Sequence, residues 1–461
     1  MFTLIEIADI VKAKNDISRW SEVIIKGVEF DTRKVVENSL FVPLKGTRDG
    51  HEFIDLAIEN GASVSFWEEG TSYPKPKDFP LLIVEDCLQA MQDLAHYFVK
   101  KIAPRVVGIT GSNGKTTTKD MVASVLSQKF KTYKTQGNFN NEIGLPYTIL
   151  HMPSDTETLV LEMGMNHKDE IRPLSLLAEP EVAAITIIGE SHLEYLGSRQ
   201  GVAEAKMEIT EGLSHNGELI VPGEEPLLTS LLANLPQNIV TFGQKGTEDV
   251  TADIVDRTKT AITFVTNHFA GRKFTIPVVG DYNVNNALIA IAVGEYFGLS
   301  EDDIYAGLAS LRLTHSRAEW RKAWNGADIL NDAYNANPTA MRLVLKTFGQ
   351  IDLEPMGKRV AVLADMGELG TDSAAMHREM SDVIDSEKIS VVLLYGQWMK
   401  NLAVELAEKE EMTYFYFPLE EREALIKKIK EVLQPQDIIL FKGSNSMKLA
   451  EIVEGISRKQ D

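Results

Sequence analysis

The sequence predicts an α/β protein of three domains, and two observations carry that prediction. The chain has 461 residues, and at roughly 100–200 residues per domain that is about three domains. Over most of its length, short β-branched runs alternate with longer amphipathic segments, the pattern of parallel strands joined by helices. Composition agrees: 44% hydrophobic and 25% charged residues are ordinary for a globular chain and exclude a disordered or collagen-like one.

Residues 1–103 read as a small mixed α/β domain, with a helical start, a turn-rich centre at Leu44-Lys45-Gly46-Thr47-Arg48-Asp49-Gly50 and a linker at Ser72-Tyr73-Pro74-Lys75-Pro76. From 104 to 314, the runs 105–110, 158–163, 182–188, 218–221 and 239–242 read as buried strands. A strand covered by helices on both faces is apolar throughout instead of alternating, so these runs predict a largely parallel sheet. Helices are expected over 117–129 and 202–212. The stretch 252–279 has strand patterning without helices and predicts a small antiparallel insertion, followed by helices over 283–297 and 301–311. From 315 to 461 the alternation resumes, with strands expected at 358–363, 389–394, 412–417 and 437–441. A second doubly wound, Rossmann-like domain is the simplest arrangement.

Charge and cysteine usage narrow the partners. Sixty-seven acidic against 47 basic residues leave a formal charge of −20, which repels nucleic acid and anionic membranes, so neither is expected as a partner. A small anionic ligand stays compatible if basic side chains line its pocket. Cys87 is the only cysteine, so an intramolecular disulfide and a cysteine zinc site are both excluded. The first residues lack the basic flank and apolar core of a signal peptide, and no apolar run reaches the ~18–20 residues that span a bilayer. A cytoplasmic protein is expected, with no membrane insertion.

The strongest local signal is Thr110-Gly111-Ser112-Asn113-Gly114-Lys115-Thr116-Thr117, between an expected strand and an expected helix. Glycines there let backbone N–H groups and a helix N-terminus face phosphate oxygens. Lys115 would reach the β/γ-phosphates and the Thr116 hydroxyl would ligate Mg²⁺. The full pattern G-x-x-x-x-G-K-[ST] needs glycine at 109, where this chain has Ile109. The loop signifies a nucleoside triphosphate and does not by itself name a reaction. Glu162 closes an apolar strand; an acid there is costly to bury unless paired or metal-bound, so it is a second Mg²⁺ candidate. His192 and Lys206 follow. On the residues alone, His192 could equally pack a loop, and Lys206 could equally sit on a solvated helix face, although small and apolar neighbours suggest that it points inward.

These motifs together resemble the Mur ligase superfamily, the ATP-dependent amide-forming enzymes of peptidoglycan precursor synthesis. The shortened loop is the form that family uses. Gly280-Asp281-Tyr282-Asn283-Val284-Asn285-Asn286-Ala287 is similar to its G-x-x-N-x-x-N-A helix start. His315-Ser316-Arg317-Ala318-Glu319 resembles its R-x-E element, and Asp332-Ala333-Tyr334-Asn335-Ala336-Asn337-Pro338 its hinge-region aspartate motif. The resemblance covers essentially the whole chain. Within the family, the Tyr334–Pro338 segment, the run 136–146 and the run 363–370 look like the branch that adds D-alanyl-D-alanine to UDP-N-acetylmuramoyl-tripeptide. The D-[ND]-P-R element of the ligase adding the third residue is absent.

The resemblance implies ATP bound by Gly111, Ser112, Asn113, Gly114, Lys115, Thr116 and Thr117, with Asn286 reading adenine, Asp332 holding the ribose and Arg317 reaching the phosphates. It implies Mg²⁺ at Thr116 and Glu162, a second Mg²⁺ at His192, and Lys206 carbamylated by CO₂ so that it too ligates metal. Lys115, His192 and Lys206 would then be the catalytic residues. Asp31, Thr32, Arg33 and Lys45 should serve the uridine diphosphate end. Asn138, Asn141, Asn335 and Asn337 are further substrate candidates, and residues 442–446 join the dipeptide pocket. A monomer is expected. The competing readings are a sister ligase taking a single amino acid, a folylpolyglutamate synthase, which normally lacks a first domain of this kind, and a nucleotide-dependent switch ATPase, in which the pair His192/Lys206 would have no role.

Overall fold

The computed structural model describes residues 2–314, 317–409 and 411–458, so His315 and Ser316 of the R-x-E stretch lie outside the described residues. At the start, β1 (Phe2–Thr3) and β2 (Ile24–Ile25) pair antiparallel. Next, β3 (Gly27–Glu29), β4 (Ser39–Phe41), β5 (Ala62–Glu68) and β6 (Leu81–Val84) form a parallel sheet in chain order. That sheet escapes sequence patterning because β3 and β4 have three residues each, shorter than any periodicity can register.

The central sheet has β7 (Arg105–Thr110), β8 (Thr132–Lys134), β9 (Thr158–Glu162), β10 (Val182–Ile185), β11 (Glu218–Pro222), β12 (Asn238–Gly243), β13 (Val250–Arg257), β14 (Ile262–Thr266) and β15 (Lys273–Ile276). Their spatial order is β15-β14-β13-β12-β11-β10-β7-β9-β8, parallel from β8 through β13 and antiparallel beyond. The strand expected over 182–188 stops at Ile185, because Thr186 and Ile187 leave the ladder to bond the turn after β7. The three strands expected as an insertion are antiparallel to one another, but β13 pairs with β12, so they lengthen the main sheet.

The third sheet comprises β16 (Glu319–Lys322), β17 (Asp328–Asp332), β18 (Arg359–Ala364), β19 (Val391–Tyr395), β20 (Thr413–Phe417) and β21 (Ile438–Lys442), in the order β16-β17-β21-β18-β19-β20. All its pairings are parallel except β16 with β17. Strands β16 and β17 carry no sequence signal: the first is a charged edge strand, and the second ends in buried Asn331 and Asp332 instead of an apolar run.

Side chains of the central strands alternate between two cores, as the period-2 geometry of a strand requires. Val107, Ile109, Val160, Val182 and Ala184 pack under the helices Lys115–Leu126 and Tyr282–Tyr296. Leu159, Leu161, Ala183 and Ile185 face the other way, into a core that continues without a break into the first sheet. The helix Cys87–Ile102 lies in that shared core through Ala90, Met91, Leu94, Ala95 and Phe98. The third sheet has a core on each of its faces. Among the described residues no helix is long and apolar enough to cross a membrane.

Candidate active site

β7 ends at Thr110, and the chain turns through Gly111-Ser112-Asn113-Gly114 into the helix Lys115–Leu126. Gly111 has φ +150°, and a Cβ there would lie 1.8 Å from Thr186 Oγ1. Gly114 has φ +81°, and its Cβ would lie 2.8 Å from Asn286 Oδ1. Any side chain at either position would open the turn. The turn is tied down from β10's far end: Ser112 N–H donates to Ile187 O at 2.8 Å, Gly189 N–H to Ser112 Oγ at 2.9 Å, and the Thr186 hydroxyl to Asn113 O. Ile109 is fully buried in the ladder between β9 and β10, so the strand runs two residues further than in the longer loop pattern and needs no glycine at 109.

Lys115 Nζ donates to Gly111 O at 2.7 Å, inside the turn. Burial pushes its pKa down, with Glu162 opposing and Arg317 adding to the fall. Thr116 Oγ1 donates to Glu162 Oε2 at 3.0 Å and accepts from Arg317 Nη2 at 3.2 Å. Asn140 Nδ2 donates to the other Glu162 oxygen at 2.8 Å. The Arg317 guanidinium lies 4.0 Å over the Tyr334 ring, a cation–π contact that holds its aim. Thr116, Glu162 and Arg317 are thus brought together as the sequence suggested.

A cavity of about 100 Å³ opens beside this loop, between the central and third sheets, with Asn113, Thr117, Asn286, Arg317, Asp332 and Lys442 in its walls. Asn286 Nδ2 donates to Asn283 Oδ1 at 2.9 Å, and Asn283 Nδ2 donates to Val279 O at 2.7 Å, so both amides have a fixed orientation. Asp332, at the end of β17, accepts from Ala318 N–H at 3.2 Å and from the Lys442 ammonium at the end of β21. Lys442, expected at the dipeptide pocket, thus lies in the wall of the cavity beside the phosphate loop. The two sheets meet there. Asn113 and Asn337 exchange side-chain hydrogen bonds at 3.1 and 3.0 Å, and the Glu190 carboxylate accepts from the backbone and hydroxyl of Thr339.

His192 and Lys206 differ in kind. His192 has φ +56°, and its Nδ1 approaches Glu368 Oε2 of the third-sheet domain to 2.5 Å, obliquely, so that Nδ1 has no aligned hydrogen bond. That contact holds the Glu368 carboxyl below the usual carboxylate range. Lys206, in the helix Arg199–Met207, is 2% exposed, and its side chain forms no hydrogen bond or ion pair among the described residues. Burial first, and the Lys115 charge second, push its pKa well below the lysine value; Glu208 opposes them. Glu208 is itself spent on the N–H groups of Asp169, Ile171 and Arg172 at the start of the helix Ile171–Ala178.

The remaining sequence candidates are dispersed. Asp31 caps the turn Thr32–Lys34, and Arg33 forks back onto its carboxylate at 2.9 and 2.7 Å. Lys45 pairs with Glu68. Asn138 and Asn335 are exposed, and the Asn141 side chain accepts from Gly144 N–H at 2.9 Å. Asn337 caps the helix Pro338–Phe348 through Ala340 N–H. A second, wider cavity of about 1030 Å³ separates the segment 190–199 from 365–376, with Arg199, Glu368, Trp398 and Ser446 in its walls. Sequence reasoning missed Asn140, Glu190 and the pairing of Lys442 with Asp332. For Lys442 a signal existed, the same one that singled out Glu162: a charge closing a fully apolar strand.

A parallel sheet whose central strand feeds a glycine loop, with a lysine, a threonine and a strand-end carboxylate converging on it, defines a phosphate-loop nucleotide-binding protein. The comparisons narrow this class. The Mur ligase middle domain model matches residues 109–294, and the Mur ligase glutamate ligase domain model matches 316–445. The chain is 42% identical over 458 residues to the UDP-N-acetylmuramoyl-tripeptide–D-alanyl-D-alanine ligase of Bacillus subtilis (strain 168), covering 98% of each chain. It is 34% identical to the Escherichia coli (strain K12) protein of the same name, again with 98% of each covered. Among solved structures, MurF from Acinetobacter baumannii superposes with a TM-score of 0.86 at 30% identity over 98% of both chains. MurF from Thermotoga maritima in complex with ADP gives 0.80 at 27% identity, covering 94% of this chain and 97% of that one. The chain belongs to the Mur ligase family.

Proposed function

We propose that this protein is the ATP-dependent ligase that joins D-alanyl-D-alanine to the terminal carboxylate of UDP-N-acetylmuramoyl-tripeptide, the last cytoplasmic step in making the peptidoglycan pentapeptide precursor. Full-length similarity to the Bacillus subtilis ligase of that name carries the choice of substrates. Likeness to a diaminopimelate ligase, TM-score 0.53 at 17% identity, and to folylpolyglutamate synthase, 0.59 at 16%, extends to the fold alone.

In this reading residues 1–103 hold the uridine diphosphate end through Asp31, Thr32, Arg33 and Lys45. Residues 104–314 bind ATP, and residues 315–461 close over it. A carboxylate is a poor electrophile, so the γ-phosphoryl group of ATP passes to the tripeptide carboxylate, giving an acyl phosphate and ADP. The dipeptide amine then attacks the acyl carbon, and phosphate leaves from the tetrahedral intermediate. Lys115 and Arg317 neutralise charge on the transferring group. Asn286 and Asp332 orient adenine and ribose. Water must be kept from the acyl phosphate, which is the task of the third-sheet domain and of its contacts at Asn113–Asn337 and Glu190–Thr339. The cavity containing Arg199, Glu368 and Trp398 is the entry for the dipeptide, with Asn335 a further contact.

Thr116 and Glu162 fit Mg²⁺: both offer hard oxygen atoms, and Mg²⁺ bound with a nucleotide takes one or two protein ligands and completes its shell with phosphate and water. These two residues would hold it, and when bound it would offset charge on the phosphate oxygens. His192 would offer a nitrogen ligand to a second ion. Lys206 supports the carbamate reading through its burial and lowered pKa. A neutral amine can add to CO₂, forming an N–C bond and losing a proton, and the resulting carbamate is an anionic oxygen donor. The enzyme is read as a cytoplasmic monomer.

The test is a phosphate-release assay with purified UDP-N-acetylmuramoyl-tripeptides and a panel of amines. Release should require ATP, the tripeptide and D-alanyl-D-alanine together. Equal release with glutamate or another single amino acid would reject the assignment in favour of a sister ligase. Release without either small substrate would favour a switch ATPase.

A further inference from the structure

Glu162 has two carboxylate oxygens, and the fold gives each a different partner. Oε2 faces the phosphate loop through Thr116, while Oε1 accepts from the Asn140 amide at 2.8 Å. Asn140 is anchored for this contact: its carbonyl accepts from Gly164 N–H at 2.8 Å, and its own N–H donates to Asn138 O at 2.8 Å. The strand end is fixed in turn, because Glu162 N–H donates to Thr135 Oγ1 at 3.0 Å and buried Lys119 donates to Thr135 O at 3.0 Å. Gly164 makes the room. A Cβ there would lie 2.9 Å from Cγ and Oδ1 of Asn140.

A neutral amide is the suitable partner on chemical grounds. A lysine or arginine at 140 would also hold the carboxylate, but it would neutralise the charge that a cation needs. An amide N–H restricts rotation of the carboxylate and leaves its full negative charge for the other oxygen to present. Outer partners of this type orient metal-binding carboxylates, and removing one typically weakens metal affinity about 10–100-fold.

We infer that Asn140 is a positioning residue that holds Glu162 Oε2 toward Mg²⁺ at the phosphate loop. The inference rests on the reading of Thr116 and Glu162 as the Mg²⁺ donors. It assigns to the run 136–143 a role on the ATP side of the enzyme, beside the substrate role expected of Asn138 and Asn141.

Isothermal titration of the full-length protein with ADP, in EDTA and at saturating Mg²⁺, separates the possibilities. For Asn140→Ala, affinity in EDTA should stay within about twofold of wild type, the gain conferred by Mg²⁺ should fall about tenfold, and the thermal midpoint should hold. Gly164→Ala, which crowds the amide without altering its chemistry, should give the same selective loss. It decides the matter if Asn140→Ala fails to fold. An undiminished Mg²⁺ gain in the variants, or an equal loss with and without Mg²⁺, overturns the inference and leaves the metal reading standing. A wild-type protein whose ADP affinity ignores Mg²⁺ overturns the metal reading and the inference together.

Discussion

The reciprocal amide pair Asn113–Asn337 joins the phosphate loop to the third-sheet domain, and its strength can be worked from its bonds. Two hydrogen bonds of 3.1 and 3.0 Å, each contributing a net of about 0.5–1.5 kcal/mol, make the pair worth about 1–3 kcal/mol. Asn337 has a second task, accepting Ala340 N–H at 2.9 Å as a helix cap, and losing a cap to alanine costs about 1 kcal/mol. Asn337→Ala should therefore lose about 2–4 kcal/mol in all. Asn337→Ser keeps a capping oxygen and should lose only the pair, as should Asn113→Ala. The double variant Asn113→Ala/Asn337→Ser should then be no worse than either single change, a coupling of about 1–3 kcal/mol or roughly 5- to 150-fold in the docking equilibrium. Fluorescence transfer between dyes on cysteines introduced at exposed Ser230 and Lys400 reads that equilibrium. Native Cys87 is buried, and burial raises its thiol pKa, so it stays unlabelled. Strictly additive losses would refute the idea that this pair holds the domains together.

Four further outcomes are expected. Lys115→Ala should abolish phosphate release that depends on both substrates; turnover near wild type would reject its role. Lys206→Ala should be nearly inactive and partly rescued by a short added carboxylate. Because burial holds the Lys206 pKa well below its ordinary 10.5, the folded protein binds its proton less tightly than the unfolded chain does, and the native state gains stability as pH rises toward 10.5. In CO₂-free buffer Lys206→Met should accordingly be more stable than wild type at neutral pH, by a margin that shrinks as pH rises toward 10.5; a margin independent of pH in thermal melts contradicts this. Asp120 is buried, and although burial alone would raise its pKa, Lys119, Lys134 and Thr314 bring it below its ordinary 3.8. Its contribution should be complete above that value and fade as pH falls through the lower native one, so Asp120→Asn should be destabilised at pH 7 by a gap that closes in acid.

The central sheet was legible because its strands are buried on both faces, and the runs 105–110 and 158–163 announce themselves by unbroken apolar residues. The third sheet was half legible, since β18 to β21 share that property and β16 and β17 do not. In the site, Lys115, Thr116 and Glu162 could be read because a lysine after glycines and an acid closing an apolar strand make sense only beside a polar ligand. Asn140, Glu190 and Asn337 carry no comparable mark. An asparagine in a turn is locally ordinary, and its partner lies 22 residues away for Asn140 and 224 for Asn337. Such pairings belong to tertiary structure. Arg33 and Lys45 illustrate the opposite case, since both are conspicuous in the sequence and the fold gives each a carboxylate of its own.

The continuous core beneath the helix Cys87–Ile102 sets the mechanical character of the enzyme. Welded through that helix, the first two sheets form an anvil against which the third would act as the hammer. In the proposed function, a single swing would reshape both the cavity beside the phosphate loop and the one walled by Arg199, Glu368 and Trp398, so grip on ATP and admission of the incoming amine would be geared to each other, while the seat for the nucleotide-linked peptide would stay set between strokes. A fragment cut at residue 103 would take the weld with it and leave the underside of the anvil bare to water.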